Sequence, residues 1–235
     1  MTSQRAAPSV AAAAVARQLL PGARMVVVGG SVLTVHRTPT SDLDMVAVLP
    51  RVAAPHHRAL RWEGWPVELL VHDEQTLAAH CEDGFRRRWP GIPRLLAQGV
   101  LLVDEDGLGA RLQARMRQRL AAGPAPATAA ETDALRFELT DLLDDLAGTD
   151  DVGEAAFVAA RVLTKTAQLA LLAARHWQGS GKWLLRELRT ARPPLAAHLT
   201  AAAGDPAALA EAAHAVLRET GGPLREYRVV QPRQP

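Results

Sequence analysis

Ten residues near the middle of the chain, 121–130, read AAGPAPATAA and constrain the fold more than any other stretch. Two prolines and a glycine stop a continuing helix there, and no apolar pattern runs through the segment. On its N-terminal side helix and strand signals alternate, while on its C-terminal side nearly everything reads as helix. A length of 235 residues accommodates two small domains. The division therefore predicts an N-terminal domain over 1–122, a linker over 123–130, a helical bundle over 131–220 and a flexible tail over 221–235. Charge changes in the same place: residues 1–123 hold 15 basic and 11 acidic side chains, and residues 124–235 hold 12 and 14.

The first half predicts helices over 9–20, 74–87 and 108–120 and strands over 24–28, 42–49, 66–72 and 100–103, a mixed α/β pattern with a small sheet. The second half predicts helices over 131–147, 153–177, 182–189, 194–202 and 206–219. Within it Leu135, Leu139, Leu142 and Leu146 recur at helical spacing and form a stripe that a bundle buries.

Composition narrows the class. Apolar residues make up 48% of the chain and charged residues 22%, which excludes a disordered or fibrous protein. The single cysteine, Cys81, forms no internal disulfide, and no Cys/His cluster has zinc spacing, so a reducing, cytoplasmic setting is expected. The alanine-rich run at 10–16 is too short to span a bilayer, and no membrane association is expected. A net charge of only +2 argues against a dedicated nucleic-acid binder, although Arg86, Arg87, Arg88 and Trp89 mix cations with an aromatic that could touch a nucleobase. Oligomeric state is not legible.

Residues 26–48, VVVGGSVLTVHRTPTSDLDMVAV, hold the chemistry. Gly29 and Gly30 leave a strand without a Cβ in the way, so backbone N–H groups and the Ser31 hydroxyl can approach a phosphate. A plain tight turn is the alternative. Asp42 and Asp44 are two apart in a buried strand pattern, so period-2 geometry points both carboxylates to one face. Their repulsion becomes attraction if a divalent cation sits between them, whereas a turn at Ser41-Asp42 and a solvated Asp44 would need none. Glu68 lies in the middle of a third strand pattern, where an acid needs a partner or a metal. If that strand pairs with 42–49, Glu68 completes a three-carboxylate cluster able to hold one or two Mg²⁺ ions about 3.5 to 4 Å apart. His72, on the same predicted face, would border it.

The order of strand, Gly-Ser, eleven residues to the first aspartate, Asp-x-Asp in a strand and a lone acid in a later strand resembles the DNA polymerase β-like nucleotidyltransferase superfamily. The helical second half makes the chain look most like its small bacterial branch of aminoglycoside and lincosamide nucleotidyltransferases. The resemblance implies an α/β (α+β) nucleotidyltransferase-like sheet domain followed by an all-α bundle, and Mg²⁺-dependent transfer of a nucleoside monophosphate, AMP from ATP or another NTP, to a hydroxyl of a small-molecule acceptor. It implies that Gly29, Gly30 and Ser31 hold nucleotide phosphates, that Asp42 and Asp44 bind Mg²⁺, and that Glu68 is a third ligand or the base. Many members carry Arg-Gly three and four residues after the serine, where this chain has Thr34 and Val35. Antitoxin-like relatives keep the motif but have diverged in function, so a regulatory protein bound to a partner is the alternative, as is transfer to a protein.

Both lysines fall in the helical half. Arg161, Lys165, Gln168 and Arg175 are expected on one helix face, and Lys182 begins the next helix. Helical domains of related enzymes often supply a phosphate-binding lysine, which makes Lys165 and Lys182 candidates; a solvated face is the alternative. Glu138, Asp141 and Asp145, with Asp144 nearby, form an acidic face that could attract a polycationic acceptor, supply the base or only solubilise the helix.

Overall fold

The computed structural model describes residues 5–228. The chain divides into two compact units, Met1–Gly123 and Pro124–Pro235, at a point inside the proline-containing segment.

The first unit runs α1 (Pro8–Leu19), β1 (Met25–Gly29), a 3₁₀ turn (Ser31–Leu33), β2 (Leu43–Val48), β3 (His56–Trp62), β4 (Trp65–His72), α2 (Glu74–Arg86), α3 (Gly91–Gln98), β5 (Val100–Asp104) and α4 (Leu108–Ala121). The strands form one mixed sheet in the order β3-β4-β2-β1-β5, in which β2 and β4 are parallel and the other neighbours antiparallel. Because period-2 alternation sends successive side chains to opposite faces, the sheet has two cores. On one face Val26, Val28, Met45, Ala47, Val67, Leu69 and Val71 pack with Ala11, Ala12, Val15 and Ala16 of α1, where small alanines let the helix lie close. On the other face Met25, Val27 and Gly29 meet residues of α3, α4 and the Gly99 turn. Covered from both sides, Met25, Val26, Val27 and Val28 are wholly inaccessible to water. An uninterrupted apolar run is what a doubly covered central strand requires.

Two elements depart from the sequence reading. β3 was not expected, because its residues HHRALRW carry little apolar alternation; it is an edge strand, mostly exposed, joined to β4 by a two-residue hairpin at Glu63-Gly64 in which both residues have positive φ. α3 was not expected either, since Gly91 and Pro93 fall in its first turn. The other strand and helix boundaries in this unit lie within two residues of those expected.

The second unit is helical: α5 (Ala129–Gly148), α6 (Val152–Ala173), α7 (Lys182–Ala191), α8 (Pro193–Ala201) and α9 (Pro206–Glu219). A mixed α/β sheet with helices followed by an all-α bundle is thus the observed fold class. Polar caps start the helices. Thr128 and Glu131 form a reciprocal capping box on α5, Asp151 caps α6, and Asp205 caps α9 ahead of Pro206. Leu139 and Leu142 of the expected stripe are buried, and Leu135 and Leu146 pack at the rim of the same core with Val162, Leu169, Leu188, Leu199 and Leu217. α6 is long and apolar enough to cross a membrane by composition, but Val162, Leu169, Ala170 and Leu171 fill the centre of this core.

α6 ends four residues short of the expected boundary. Arg175 takes a left-handed conformation (φ 52°), while the N–H groups of His176 and Arg175 donate to the carbonyls of Leu171 and Leu172, the paired bonds of a Schellman stop. Arg175 therefore leaves the face of Arg161 and Lys165, and its Nε donates to the Pro124 carbonyl. The tail also differs from expectation where it is described. Arg136 donates to the carbonyls of Gly221 and Gly222, Leu224 N–H donates to Thr140 Oγ1, Arg225 pairs with Asp144, and Tyr227 stacks on Phe137. Residues 221–228 are thus laid along α5; the rest of the expected tail, 229–235, lies outside the described residues.

Candidate active site

Strand register assembles the site. The parallel pairing of β2 with β4 sets Asp44 directly opposite Glu68, and the antiparallel pairing of β1 with β2 sets Gly29 opposite Asp44. Residues directly opposite share a face, so both acids project from the side of the sheet that carries Met25 and Val27. Asp42 precedes β2 by one residue and joins them. One carboxylate oxygen of Asp42, one of Asp44 and one of Glu68 all lie within 4.8 Å of one another, each residue half-buried.

The turn beside these acids can only be glycine. Gly30 has φ 84° and ψ −172°, a region open essentially to glycine alone, and a Cβ there would stand 1.9 Å from Asp44 Oδ2. The aspartate occupies the space a side chain would take, so its position and the path of the turn fix each other. A Cβ on Gly29 would meet Leu95 of α3 at 3.0 Å. Ser31 is buried at the head of the 3₁₀ turn, and its hydroxyl lies 3.0 Å from Ser41 Oγ, which also accepts from Thr38 N–H at 2.9 Å. Thr34 closes the turn through its hydroxyl, which donates to the Ser31 carbonyl.

Three carboxylates gathered this closely repel one another in a partly dehydrated site. Neither Asp42 nor Glu68 is paired with an arginine or lysine among the described residues. The imidazole Nε2 of His57, on the unexpected strand β3, lies 3.5 Å from Glu68 Oε2. An all-oxygen donor set suits a hard divalent cation such as Mg²⁺, which takes one or two carboxylates and leaves positions for phosphate oxygens and water.

His72 does not border this cluster. It pairs with Val48, four rungs along the sheet from Asp44, and is buried with its Nδ1 3.3 Å from Thr76 Oγ1 and its ring edge-on to His80. Burial first, then repulsion from His80, holds its pKa below the usual histidine range. His57 is the histidine that reaches the site, and the only signal for it was a neighbouring strand that the sequence did not announce. Cys81 is equally remote from chemistry: burial pushes its thiol up to about 11.

The candidates of the helical unit are placed as follows. Lys165 pairs with Glu138 at 2.7 Å, and Arg161 pairs with the same carboxylate at 2.6 Å, so the head of the acidic face is neutralised within the bundle. Asp144 is taken by Arg225, while Asp141 and Asp145 are exposed. Lys182 is exposed at the start of α7. In the first unit Arg86 and Arg87 pair with Asp83, and Trp89 is 46% exposed.

No protein-family description and no curated protein matches the sequence. Among solved structures the chain is similar to a nucleotidyltransferase-like protein from Exiguobacterium sibiricum 255-15, with 12% identity, 90% of this chain and 74% of that chain covered, and a TM-score of 0.49. At that level neither activity nor substrate passes from that protein to this chain.

Proposed function

We propose that the protein is a nucleotidyltransferase that moves a nucleoside monophosphate, AMP from ATP, onto a hydroxyl of a small-molecule acceptor in the cytoplasm. The convergence of Asp42, Asp44 and Glu68 beside the Gly30-Ser31 turn carries this reading. An oxygen–phosphorus bond forms to the acceptor, the bond to the pyrophosphate leaving group breaks, and the acceptor proton must go to a base. Glu68, with 44% of its side chain exposed, is the group we assign to that proton. Gly29, Gly30 and Ser31 are the phosphate contacts we assign through the turn's backbone, with the Cβ side of Gly30 taken by Asp44 and Gly29 packed under Leu95, and Ser31 adds a hydroxyl oriented by Ser41. Held by Asp42 and Asp44, with Glu68 as a third ligand where it is not the base, Mg²⁺ would supply neutralisation of the charge on the transferring phosphoryl oxygens. Lys165 and Lys182 are proposed as further phosphate contacts, and Lys165 would have to leave Glu138 to make one.

The test is a pyrophosphate-release assay over a panel of NTPs and hydroxyl acceptors with Mg²⁺, beside calorimetric titration with a nonhydrolysable ATP analogue. Binding that needs both Mg²⁺ and Asp44 supports the reading. A second reading, a regulatory protein on this fold, is favoured by Thr34 and Val35, the latter 97% exposed as an apolar side chain in the loop after the turn. Absence of nucleotide binding at millimolar concentration together with a copurifying partner would replace the first reading with the second.

A further inference from the structure

Beyond the carboxylates, the loop that links the 3₁₀ turn to β2 helps to enclose a second constellation. Arg5, Arg37, Thr38, Pro39 and Trp65 line a cavity of about 350 Å³, at the lower end of the range of roughly 300–1,000 Å³ typical of small-ligand clefts. Among the described residues none that lines it is acidic. Both guanidinium groups lie over the Trp65 ring, 5.2 and 5.3 Å from its centroid. The ring is itself fixed, only 1% exposed, with its N–H donating to the Ala6 carbonyl at 3.1 Å.

Stacking on an aromatic face holds a guanidinium plane in place and leaves its N–H edge free for a planar or tetrahedral oxyanion. Arg5 uses one N–H, to the Pro39 carbonyl at 3.2 Å. Among the described residues neither arginine has a carboxylate at ion-pair distance, in contrast to Arg24, Arg86, Arg119 and Arg161 elsewhere in the chain. Two like charges at one cavity are stabilised by an anion placed between them.

We infer that this cavity is an oxyanion subsite that takes a phosphoryl group. Thr38 connects it to the candidate active site, because its N–H reaches Ser41 Oγ and Ser41 Oγ meets Ser31 Oγ beside Asp44. The phosphoryl group comes either from the phosphate chain of the nucleotide or from a phosphorylated acceptor. The subsite stands on the cavity alone; the choice between these two sources rests on the nucleotidyl-transfer reading.

Titration of the whole protein with sodium pyrophosphate, in EDTA and at low ionic strength, tests the subsite without any divalent cation. Wild type binds, Arg5→Gln and Arg37→Gln each weaken binding about tenfold, the scale of one charged hydrogen-bonding partner, and Arg37→Lys weakens it less. Thr128→Ala, in the helical unit, binds as wild type does. Circular dichroism and melting of each variant check folding, which substitutions at these exposed positions leave intact. No binding by wild type, or unchanged binding in both glutamine variants, overturns the subsite. Adding Mg²⁺ and a nonhydrolysable ATP analogue then separates the sources: displacement of pyrophosphate assigns the subsite to the nucleotide, and simultaneous binding assigns it to an anionic acceptor. An analogue that does not bind at all defeats the nucleotidyl-transfer reading while the metal-free pyrophosphate result still decides the subsite.

Discussion

Both units pair acids with bases, as Glu82 is paired with Arg119 in the sheet unit, but the sheet unit also gathers like charges. In the bundle, acids are neutralised by nearby bases: Glu138 by Arg161 and Lys165, Asp133 by Arg136, Glu219 by Arg192. In the sheet unit three acids converge on one another at the end of β2, and two arginines converge on one tryptophan. Opposite charges paired inside a unit serve folding, whereas like charges brought together by strand register mark a place where a ligand of opposite charge would be held. The comparison teaches where to look for chemistry, and it makes the two units respond differently to substitution.

The widest gap belongs to Asp44. Asp44→Asn should lower transfer about a thousandfold or more while leaving the melting temperature within a few degrees, since removing one of three repelling charges relieves the folded state; retained turnover in that variant would break the comparison at its centre. Leu169→Ala, at a fully buried bundle position, should do the reverse and lower stability by about 2–5 kcal/mol in urea titrations. Gly30→Ala sits between them. It forces a non-glycine residue into a glycine-only conformation at a cost of about 1–3 kcal/mol and pushes Asp44 aside, with transfer expected to fall about a hundredfold. Adding Asp44→Ala should recover the part of the stability loss due to the clash but not transfer, and a double variant no more stable than Gly30→Ala would show that Asp44 is not what the new Cβ strikes.

Smaller effects sharpen the picture. Thr128→Ala removes the capping box of α5 and should cost about 1 kcal/mol in the same titration, with no change in pyrophosphate affinity. The smallest is His72. Its folded pKa is depressed, so the folded state binds fewer protons than the unfolded chain; stability should be complete above the unfolded pKa of about 6.5 and decline as pH falls below it toward the folded value. His72→Gln should flatten that slope in melting curves recorded across the window.

How much of this was legible in the sequence follows from the kind of signal each part sends. β1, β2 and β4 are apolar runs because they are covered, and the acids stand out against those runs at Asp44 and Glu68. The Gly30-Ser31 turn and the two aspartates could be placed near one another because the intervening loop is short. β3 sends no such signal, since a mostly exposed edge strand buries only Leu60 and Trp62 in part and needs little alternation, and His57 was invisible with it. The Arg5 and Arg37 cluster on Trp65 joins three segments that no local pattern connects. The end of α6 was missed because the residue at its left-handed stop is arginine rather than glycine. The tail was misread because its proline and arginine content suggests a free segment, while its hydrogen bonds to Arg136 and Thr140 depend on where α5 lies.

The path from β2 to β3 has a practical corollary. β2 leaves the sheet at Val48, about 13 Å of strand beyond Asp44, and the chain then turns through Ala53, Ala54 and Pro55, all exposed, before β3 brings it back toward the carboxylates. Since the native thiol at Cys81 is buried and protonated, Ala54→Cys would give the molecule a single reactive sulfur at the opposite end of the strands from its chemistry. A fluorophore attached there could report on ligands arriving at the far end without touching any of them.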